Sequence, residues 1–251
     1  FGDSGMSVSC TVTITDGQPG LFVITGTAKL FFEDDVTVTV KTDGSGANSH
    51  PAEKEYVGSR IIVVKDAEWD DPQPFEFTTS FTDSFQLIDY KSLDNKITFD
   101  NLSAGTYIVT ETEQNGWVLD SIECTGGKTE VSTDTRSARI VLGLNDVVEC
   151  VFTNVEKGHI IVDKVTDPAS ADVFSFTTTG EGYEPFSLTD YQAPNDQALM
   201  PGHYTVSETV PADWALSDAV CSSSMDDDET IEDIDLQPGE VVTCVFTNTV
   251  K

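Results

Sequence analysis

The stretch Tyr107-Ile-Val-Thr-Glu111, followed six residues later by Trp117, returns as Tyr204-Thr-Val-Ser-Glu208, followed six residues later by Trp214. The flanking sequence repeats as well. Each copy opens with an apolar run that ends in lysine, Ile61 to Lys65 and Ile160 to Lys164, and closes with Cys-Val-Phe-Thr-Asn, Cys150 to Asn154 and Cys244 to Asn248. This self-similarity predicts three units: an N-terminal region (1–58), a first repeat (59–157) and a second repeat (158–251).

Charge excludes several classes of partner. The chain holds 44 Asp and Glu against 13 Lys and Arg, for a net charge of -31. Such a surface repels nucleic acid and anionic membranes, and we interpret it as a solvated face that keeps a secreted protein soluble. No apolar run reaches the length of a membrane span. We expect any secretion signal to have been removed before Phe1, and any anchor to lie beyond the chain or to be absent.

The cysteines indicate an oxidising compartment. Four of the five occupy matching places in the two repeats, and the close C-x-x-C spacing of zinc clusters is missing. The natural pairing is therefore one disulfide per repeat, Cys124 with Cys150 and Cys221 with Cys244, which favours an extracellular or cell-surface location. Cys10 is left over and is either a free buried thiol or an intermolecular partner.

Strand signals fill both repeats, and helical periodicity is not convincing anywhere. In the first repeat, runs rich in Val, Ile, Thr and Phe predict strands near residues 60–66, 74–81, 84–90, 96–99, 105–113, 117–124, 137–142 and 147–155. Asp-Pro, Asn-Gly and Gly-Gly pairs separate these runs, and the second repeat keeps the same order. The pattern is typical of an all-β sandwich in each repeat.

The N-terminal region is β-rich but short of strands. Alternation predicts strands at Val8 to Thr15, Leu21 to Phe32 and Val36 to Val40, followed by an exposed loop at residues 42–51. A sandwich normally needs about seven strands. The region therefore packs onto the first repeat, receives a strand from a neighbouring molecule, or itself donates a strand.

Strand alternation places six polar residues on the core-facing side of their strands, since residues two apart on a strand share a face. They are Lys65, Glu111, Asn154, Lys164, Glu208 and Asn248. A buried charge without a partner is strongly unfavourable. We therefore expect a Lys, a Glu and an Asn to meet inside each repeat.

This order of signatures resembles the CnaB-type (prealbumin-like) Ig-like domains of bacterial surface adhesins and pilins. The resemblance lies in the apolar strand ending in Lys, the Tyr-x-x-x-Glu strand with Gly-Trp or Asp-Trp downstream, and Phe-x-Asn on the last strand. It covers residues 59 to 251 and implies tandem Ig-like β-sandwiches preceded by a short β-rich region. The paired cysteines depart from many such domains, and the chain has no Leu-Pro-x-Thr-Gly sortase signal, so the resemblance does not extend to sortase polymerisation.

The resemblance also implies a chemistry. Lys65 would form an isopeptide bond with Asn154 assisted by Glu111, and Lys164 would form one with Asn248 assisted by Glu208. Burial favours a neutral amine beside a protonated carboxyl group, which suits attack on a carboxamide. The alternative is a hydrogen-bonded cluster that does not react.

Other candidate sites carry weaker signals. His50, His159 and His203 are too scattered for a triad or zinc site, and no nucleophile elbow or phosphate loop appears. Two acidic stretches, 69–71 and 226–229, have carboxylates suited to calcium but lack the ligand alternation and Gly of an EF-hand, so we expect solvated loops and no metal cofactor. Asn101-Leu-Ser103 matches a glycosylation sequon, a pattern common by chance.

These features lead to two hypotheses. The first is a secreted structural protein, the shaft or subunit of a cell-surface filament, in which the only chemistry is single-turnover bond formation. The second is an adhesin fragment whose N-terminal region binds a host or matrix ligand while the repeats serve as a stalk. An enzyme would need a catalytic constellation that the sequence does not show.

Overall fold

The prediction of an all-β fold is confirmed. The computed structural model describes residues 19–31, 35–46, 48–69, 71–91, 95–226 and 228–251, together with Thr13. Within this part of the chain the strands form six sheets, two of them in the N-terminal region and two in each repeat. The described residues form no helix of a length and apolarity that would cross a bilayer.

The N-terminal region forms two separate two-stranded sheets. Strand β1 (Gly20–Ile24) pairs with β4 (Ala52–Tyr56), and β2 (Thr27–Phe31) pairs with β3 (Thr37–Lys41), all antiparallel. The long strand expected at residues 21–32 is broken at Gly26, whose amide donates to the Thr42 hydroxyl at 2.6 Å. Strand β4 has the charged sequence Ala-Glu-Lys-Glu-Tyr, which alternation did not identify. Of the strand expected at residues 8–15, only Thr13 is among the described residues. Cys10 lies outside them.

The first repeat consists of two sheets that face each other. Its strands are β5 (Ser59–Ala67), β6 (Pro74–Thr79), β7 (Phe85–Ile88), β8 (Lys96–Leu102), β9 (Gly105–Glu111), β10 (Trp117–Thr125), β11 (Lys128–Ser132), β12 (Ser137–Leu142) and β13 (Val147–Glu156). One sheet has the order β10-β13-β5-β8 and the other β11-β12-β9-β6-β7. Strand β11, a polar edge strand, was not predicted.

Apolar residues at alternate positions form the core between these sheets. Strand β5 shows this most clearly, because Ile61 and Val63 are fully buried while Arg60, which directly precedes Ile61, is exposed. Across the sandwich, the rings of Phe77 and Phe152 meet edge to face at 5.2 Å. The first strand, β5, pairs in parallel with the last, β13, so the two ends of the repeat lie side by side in one sheet.

The second repeat has the same architecture. Its strands are β14 (Gly158–Asp167), β15 (Phe174–Thr179), β16 (Phe186–Leu188), β17 (Asn195–Leu199), β18 (Gly202–Thr209), β19 (Trp214–Ser223), β20 (Ile234–Leu236) and β21 (Val241–Val250). The sheets run β17-β14-β21-β19 and β16-β15-β18-β20, and β14 again pairs in parallel with β21.

The two repeats join without a flexible linker. Strand β13 ends at Glu156 and β14 begins at Gly158, so Lys157 is the sole residue between them. A Cβ on Gly158 would lie 2.7 Å from Leu236 Cγ, and one on Gly239 would lie 2.4 Å from a carboxylate oxygen of Glu156. Gly158 leaves no room for a side chain, because its Cβ would also lie 2.9 Å from the Gln237 carbonyl oxygen, whereas glycine is favoured at Gly239 by a left-handed φ of 68°.

Each repeat contains one disulfide next to its last strand. Cys124 bonds to Cys150, joining β10 to β13, and Cys221 bonds to Cys244, joining β19 to β21. Both pairs are directly opposite each other in the strand register. The disulfides therefore fasten the last strand to an edge strand, not to the first strand.

Two glycines of the first repeat allow a matched test of a close backbone approach. Gly116 and Gly126 both have positive φ, but a Cβ on Gly116 meets nothing within 4 Å, while one on Gly126 would lie 2.1 Å from the Val147 carbonyl oxygen. We predict that Gly116→Ala lowers the free energy of unfolding by about 1–2 kcal/mol, the cost of the left-handed conformation. Gly126→Ala lowers it further, because β13 must also move. Native-state hydrogen exchange of the first repeat measures both, and equal destabilisation would contradict the expected clash.

Candidate functional site

A lysine and an asparagine lie on the same side of the neighbouring first and last strands in each repeat. In the first repeat Lys65 of β5 is opposite Phe152 of β13, and Asn154 lies two residues further along β13 on the same face. In the second repeat Lys164 is opposite Phe246, and Asn248 follows in the same way. Parallel pairing and strand alternation together therefore place each Lys beside its Asn on the core side.

A glutamate reaches each pair from the facing sheet. Glu111 is the last residue of β9 and pairs in register with Phe77, and Glu208 of β18 pairs with Phe176. The side chains of Glu111, Lys164 and Glu208 have no exposed surface, and Lys65 and Asn154 are also fully buried. The polar cluster of each repeat thus lies in the core and draws on both sheets.

In the second repeat the three side chains form a closed ring of contacts. Lys164 Nζ donates to Asn248 Oδ1 at 2.8 Å, and Asn248 Nδ2 donates to Glu208 Oε2 at 2.9 Å. The other carboxylate oxygen, Glu208 Oε1, lies 3.5 Å from Lys164 Nζ. The amine, the carboxamide and the carboxyl group are therefore in mutual contact.

Backbone carbonyls and an aromatic ring hold the Lys164 amine in place. Nζ donates to the carbonyls of Val165 at 2.8 Å and Phe246 at 3.0 Å, and it lies 4.3 Å from the centre of the Phe174 ring. Burial lowers the pKa of Lys164, and the nearby Glu208 charge opposes this shift. The site therefore makes the neutral amine, which is the nucleophilic form, more accessible than it is in water.

The first repeat has the same cradle for its amine. Lys65 Nζ donates to the carbonyls of Asp66 at 2.6 Å and Phe152 at 3.1 Å, and it lies 4.1 Å from the Phe75 ring centre. Burial lowers the pKa of Lys65 to about 8, with the Glu111 charge as the main opposing influence.

The carboxamide and carboxylate of the first repeat are arranged differently. Asn154 Nδ2 donates to Glu111 Oε1 at 2.7 Å, and the guanidinium of Arg136 forms an ion pair with that same oxygen. Among the described residues, Asn154 Oδ1 and Glu111 Oε2 are buried without a hydrogen-bond partner. Sequence reasoning did not identify Arg136, because its place in the turn before β12 has no periodicity that points to a core carboxylate.

The remaining candidate residues lie apart from these clusters. Asn101 is exposed, with a left-handed φ of 58°, and lies in strand β8. His159 and His203 contact nearby aspartates on the surface, and His50 lies in the N-terminal region. In the described part of the chain, no group of three or more metal-ligating side chains comes together. Asp70 and Asp227, within the two acidic stretches, are outside the described residues.

Comparison with known proteins finds a family match in both repeats. A family model described as a prealbumin-like fold domain matches residues 61–156 and again residues 160–250. No curated protein matches the chain in sequence.

Several solved structures are similar at low sequence identity. A major pilin of Streptococcus pyogenes is 14% identical over 78% of this chain and 98% of its own, with a TM-score of 0.35. The Bacillus anthracis TIE protein is 20% identical over 92% of this chain and 42% of its own, with a TM-score of 0.31. A streptococcal ancillary pilin is 10% identical over 93% and 76%, with a TM-score of 0.32.

The lowered pKa of Lys65 predicts a pH-dependent stability. In an Asn154→Ala chain, Lys65 stays a free amine with a native pKa of about 8 against 10.5 in the unfolded chain. Between these values the unfolded state binds the proton that the native state has released, so the free energy of unfolding rises with pH, by at most about 3 kcal/mol. Below pH 8 both states are protonated and the contribution no longer changes.

The matched control is the double variant Asn154→Ala with Lys65→Met, in which the other titrating groups are unchanged. Urea unfolding of both chains, measured from pH 7 to pH 10.5, gives the Lys65 contribution as the difference between the two profiles. Parallel profiles would show that burial does not perturb this amine.

Proposed function

The chain belongs, through both of its repeats, to the family of prealbumin-like fold domains, and from this premise we propose that it is a secreted structural protein, the shaft or subunit of a cell-surface filament or pilus. Internal Lys–Asn isopeptide bonds and disulfides strengthen its repeats. The observation that carries the proposal is the buried ring of Lys164, Glu208 and Asn248, in which an amine touches a carboxamide beside a carboxyl group.

The reaction in the second repeat needs these three side chains and no other reagent. The neutral amine of Lys164 attacks the side-chain carbonyl carbon of Asn248, forming a new C–N bond. Glu208 accepts a proton from the amine and passes it to Nδ2 of Asn248, to which its carboxylate is already hydrogen-bonded. The original C–N bond of the carboxamide breaks, ammonia leaves and a Lys–Asn amide remains.

The products explain why the reaction happens once in each repeat. Both reacting side chains are consumed, so bond formation is a maturation step, with Glu111 and Glu208 as the assisting carboxyl groups. The first repeat would join Lys65 to Asn154. In the chain-entropy model, a cross-link closing a loop of this size contributes about 4 to 5 kcal/mol to stability.

The position of the bonds suits a protein that transmits tension. Each bond joins the first strand of a repeat to its last strand, close to the end at which the last strand leaves the repeat. Tension would pass from Lys65 to Asn154, through Lys157, and from Lys164 to Asn248. The chain between each pair of residues would not bear the load, which is the property that a filament shaft or stalk requires.

The disulfides support an extracellular or cell-surface location. Cys124–Cys150 and Cys221–Cys244 each join neighbouring strands of a sheet, and disulfides of this kind persist in oxidising compartments. The net charge of -31 is consistent with a solvated surface outside the cell.

The N-terminal region supports assembly by β-strand donation. Among the described residues, each of its two sheets has two strands. Leu21, Val23 and Phe31 are exposed by 60%, 54% and 78%. Two-stranded sheets are marginal by themselves, and an added strand from a second copy would pair an edge and cover apolar side chains.

Intact mass under reducing conditions tests the bonds. We predict a mass lower than the sequence value by one ammonia for each repeat. Lys164→Ala and Glu208→Gln each restore one ammonia to the mass, because they remove the nucleophile and the proton carrier of the second repeat. Lys96→Ala, a change of an exposed lysine, leaves both losses in place. A wild-type mass equal to the sequence value would refute the isopeptide proposal.

Negative-stain electron microscopy tests assembly separately. We predict fibres from the full chain and monomers from a chain that begins at Ser59, because the exposed strand edges of the N-terminal region would be gone. Full-length chains that remain monomeric at every ionic strength would contradict filament assembly. A stable monomer that binds a host or matrix ligand saturably would favour the adhesin stalk instead.

A further inference from the structure

The two clusters share a lysine cradle but differ at the carboxyl group. In the second repeat Asn248 Oδ1 accepts a hydrogen bond from Lys164. In the first repeat Asn154 Oδ1 is buried without a partner among the described residues, and Glu111 is in an ion pair with Arg136. The two repeats therefore differ at two groups that take part in the reaction, the carboxamide and the carboxylate.

Arg136 has no counterpart in the second repeat. The sequence from Gly158 to Lys251 contains no arginine, and Lys164 and Lys251 are its only lysines. The segment before β20 is instead acidic, with Asp226, Asp228 and Glu229. Among the described residues, Lys164 is the one cationic side chain that forms an ion pair with Glu208, whereas Glu111 forms its ion pair with Arg136 and acts on Lys65 through its charge.

The backbone fixes Arg136 beside Glu111. The Glu111 amide donates to the Arg136 carbonyl at 2.9 Å, and Arg136 Nε donates back to the Glu111 carbonyl at 3.3 Å. Arg136 also has a left-handed φ of 52°, a conformation in which Gly or Asn would be less strained. Its side chain is 19% exposed, and Glu111 has no exposed surface. The guanidinium thus closes the cluster on its solvent side.

The ion pair changes what Glu111 can do. A carboxylate paired with a guanidinium is a hydrogen-bond acceptor only. Its Oε1 is shared between Arg136 and Asn154 Nδ2, so the oxygen that would pass a proton to the leaving nitrogen is held by a guanidinium. In the second repeat Glu208 bridges the reacting groups, with Oε2 on Asn248 Nδ2 and Oε1 3.5 Å from Lys164 Nζ, whereas among the described residues Glu111 forms no ion pair with Lys65.

We propose that Arg136 is a positioning residue that holds Glu111 in an ion pair and thereby makes the cross-link of the first repeat form more slowly than that of the second. The inference rests on the proposed isopeptide chemistry. Proton transfer by a positioned side chain contributes roughly a hundredfold or more to reaction rates, and we expect a difference of about this size between the repeats.

Amine protonation would give Arg136 an effect of the opposite sign. Burial lowers the pKa of both Lys65 and Lys164. The charged groups that act on Lys65 are Glu111, Asp66, Asp89 and Arg136, and the last of these favours the neutral amine. Arg136 would speed the reaction if the charge of Lys65 were limiting, so the sign of its effect separates the two explanations.

The test follows ammonia loss in each repeat as the full chain folds. The starting material is chain that has not yet folded or formed its isopeptide bonds, kept unfolded in guanidinium chloride. It is refolded by dilution into a thiol–disulfide buffer, and samples are quenched at intervals. Each sample is digested, and the cross-linked peptides are quantified by mass spectrometry. We expect Lys164–Asn248 to form first in the wild type. Arg136→Asn, which tolerates the left-handed backbone, brings the rate of Lys65–Asn154 close to that of the second repeat, while Arg136→Lys, which keeps the charge, remains slower.

Arg139→Asn is the matched control, because Arg139 pairs with Glu130 on the surface, with both side chains about half exposed or more. It leaves both rates unchanged. Two outcomes would overturn the role of Arg136: equal rates for the two repeats in the wild type, or a Lys65–Asn154 bond that forms no faster in Arg136→Asn than in the wild type. Absence of ammonia loss from the second repeat would instead overturn the isopeptide chemistry itself. If Arg136→Asn fails to form the Cys124–Cys150 disulfide, the wild-type comparison and Arg136→Lys decide the question.

Discussion

The burial of a lysine amine between the first and last strands is the constraint on which each repeat depends. An ammonium group in a protein core costs several kcal/mol unless its protons are satisfied. Both repeats meet this cost in the same way, with the carbonyl of the next residue, the carbonyl of the phenylalanine on the last strand and an aromatic face. This cradle needs parallel pairing of the two strands, so the topology and the buried amine require each other.

The carboxyl and carboxamide groups of each cluster have fewer of their hydrogen bonds satisfied than the lysine amine has. The first repeat leaves Asn154 Oδ1 and Glu111 Oε2 without partners, and the second leaves Glu208 Oε1, within the part of the chain that the structure describes. Unsatisfied buried polar atoms are costly. Isopeptide formation would replace a chargeable amine by a neutral amide, so the proposed reaction would relieve the desolvation cost that the unreacted side chains carry.

Strand alternation predicted from the sequence alone that the Lys, Glu and Asn side chains face the core. It placed Lys65, Glu111 and Asn154 on core-facing positions because their neighbours two residues away are apolar. It did not identify β4 or β11, whose polar sequences become strands only through their pairing with β1 and β12. Alternation also gave no sign of the register shift between Leu119 and Ser121, beside the residue opposite Asn154. Arg136 was missed for a similar reason, since its partner is set by a turn and lies 25 residues away in sequence.

The isopeptide bond and the disulfide of a repeat have different mechanical effects. Cys124–Cys150 joins β10 to β13 but leaves β5 attached to β13 by hydrogen bonds alone. If a first repeat without its Lys65–Asn154 bond were pulled at its ends, β5 would separate from β13. The chain could then extend from Ser59 to Cys124, where the disulfide transfers the load to Cys150. A second repeat with its bond in place would not extend in this way. A slow first bond would therefore give a newly folded chain one extensible repeat beside a rigid one, and Arg136 would set how long that state lasts.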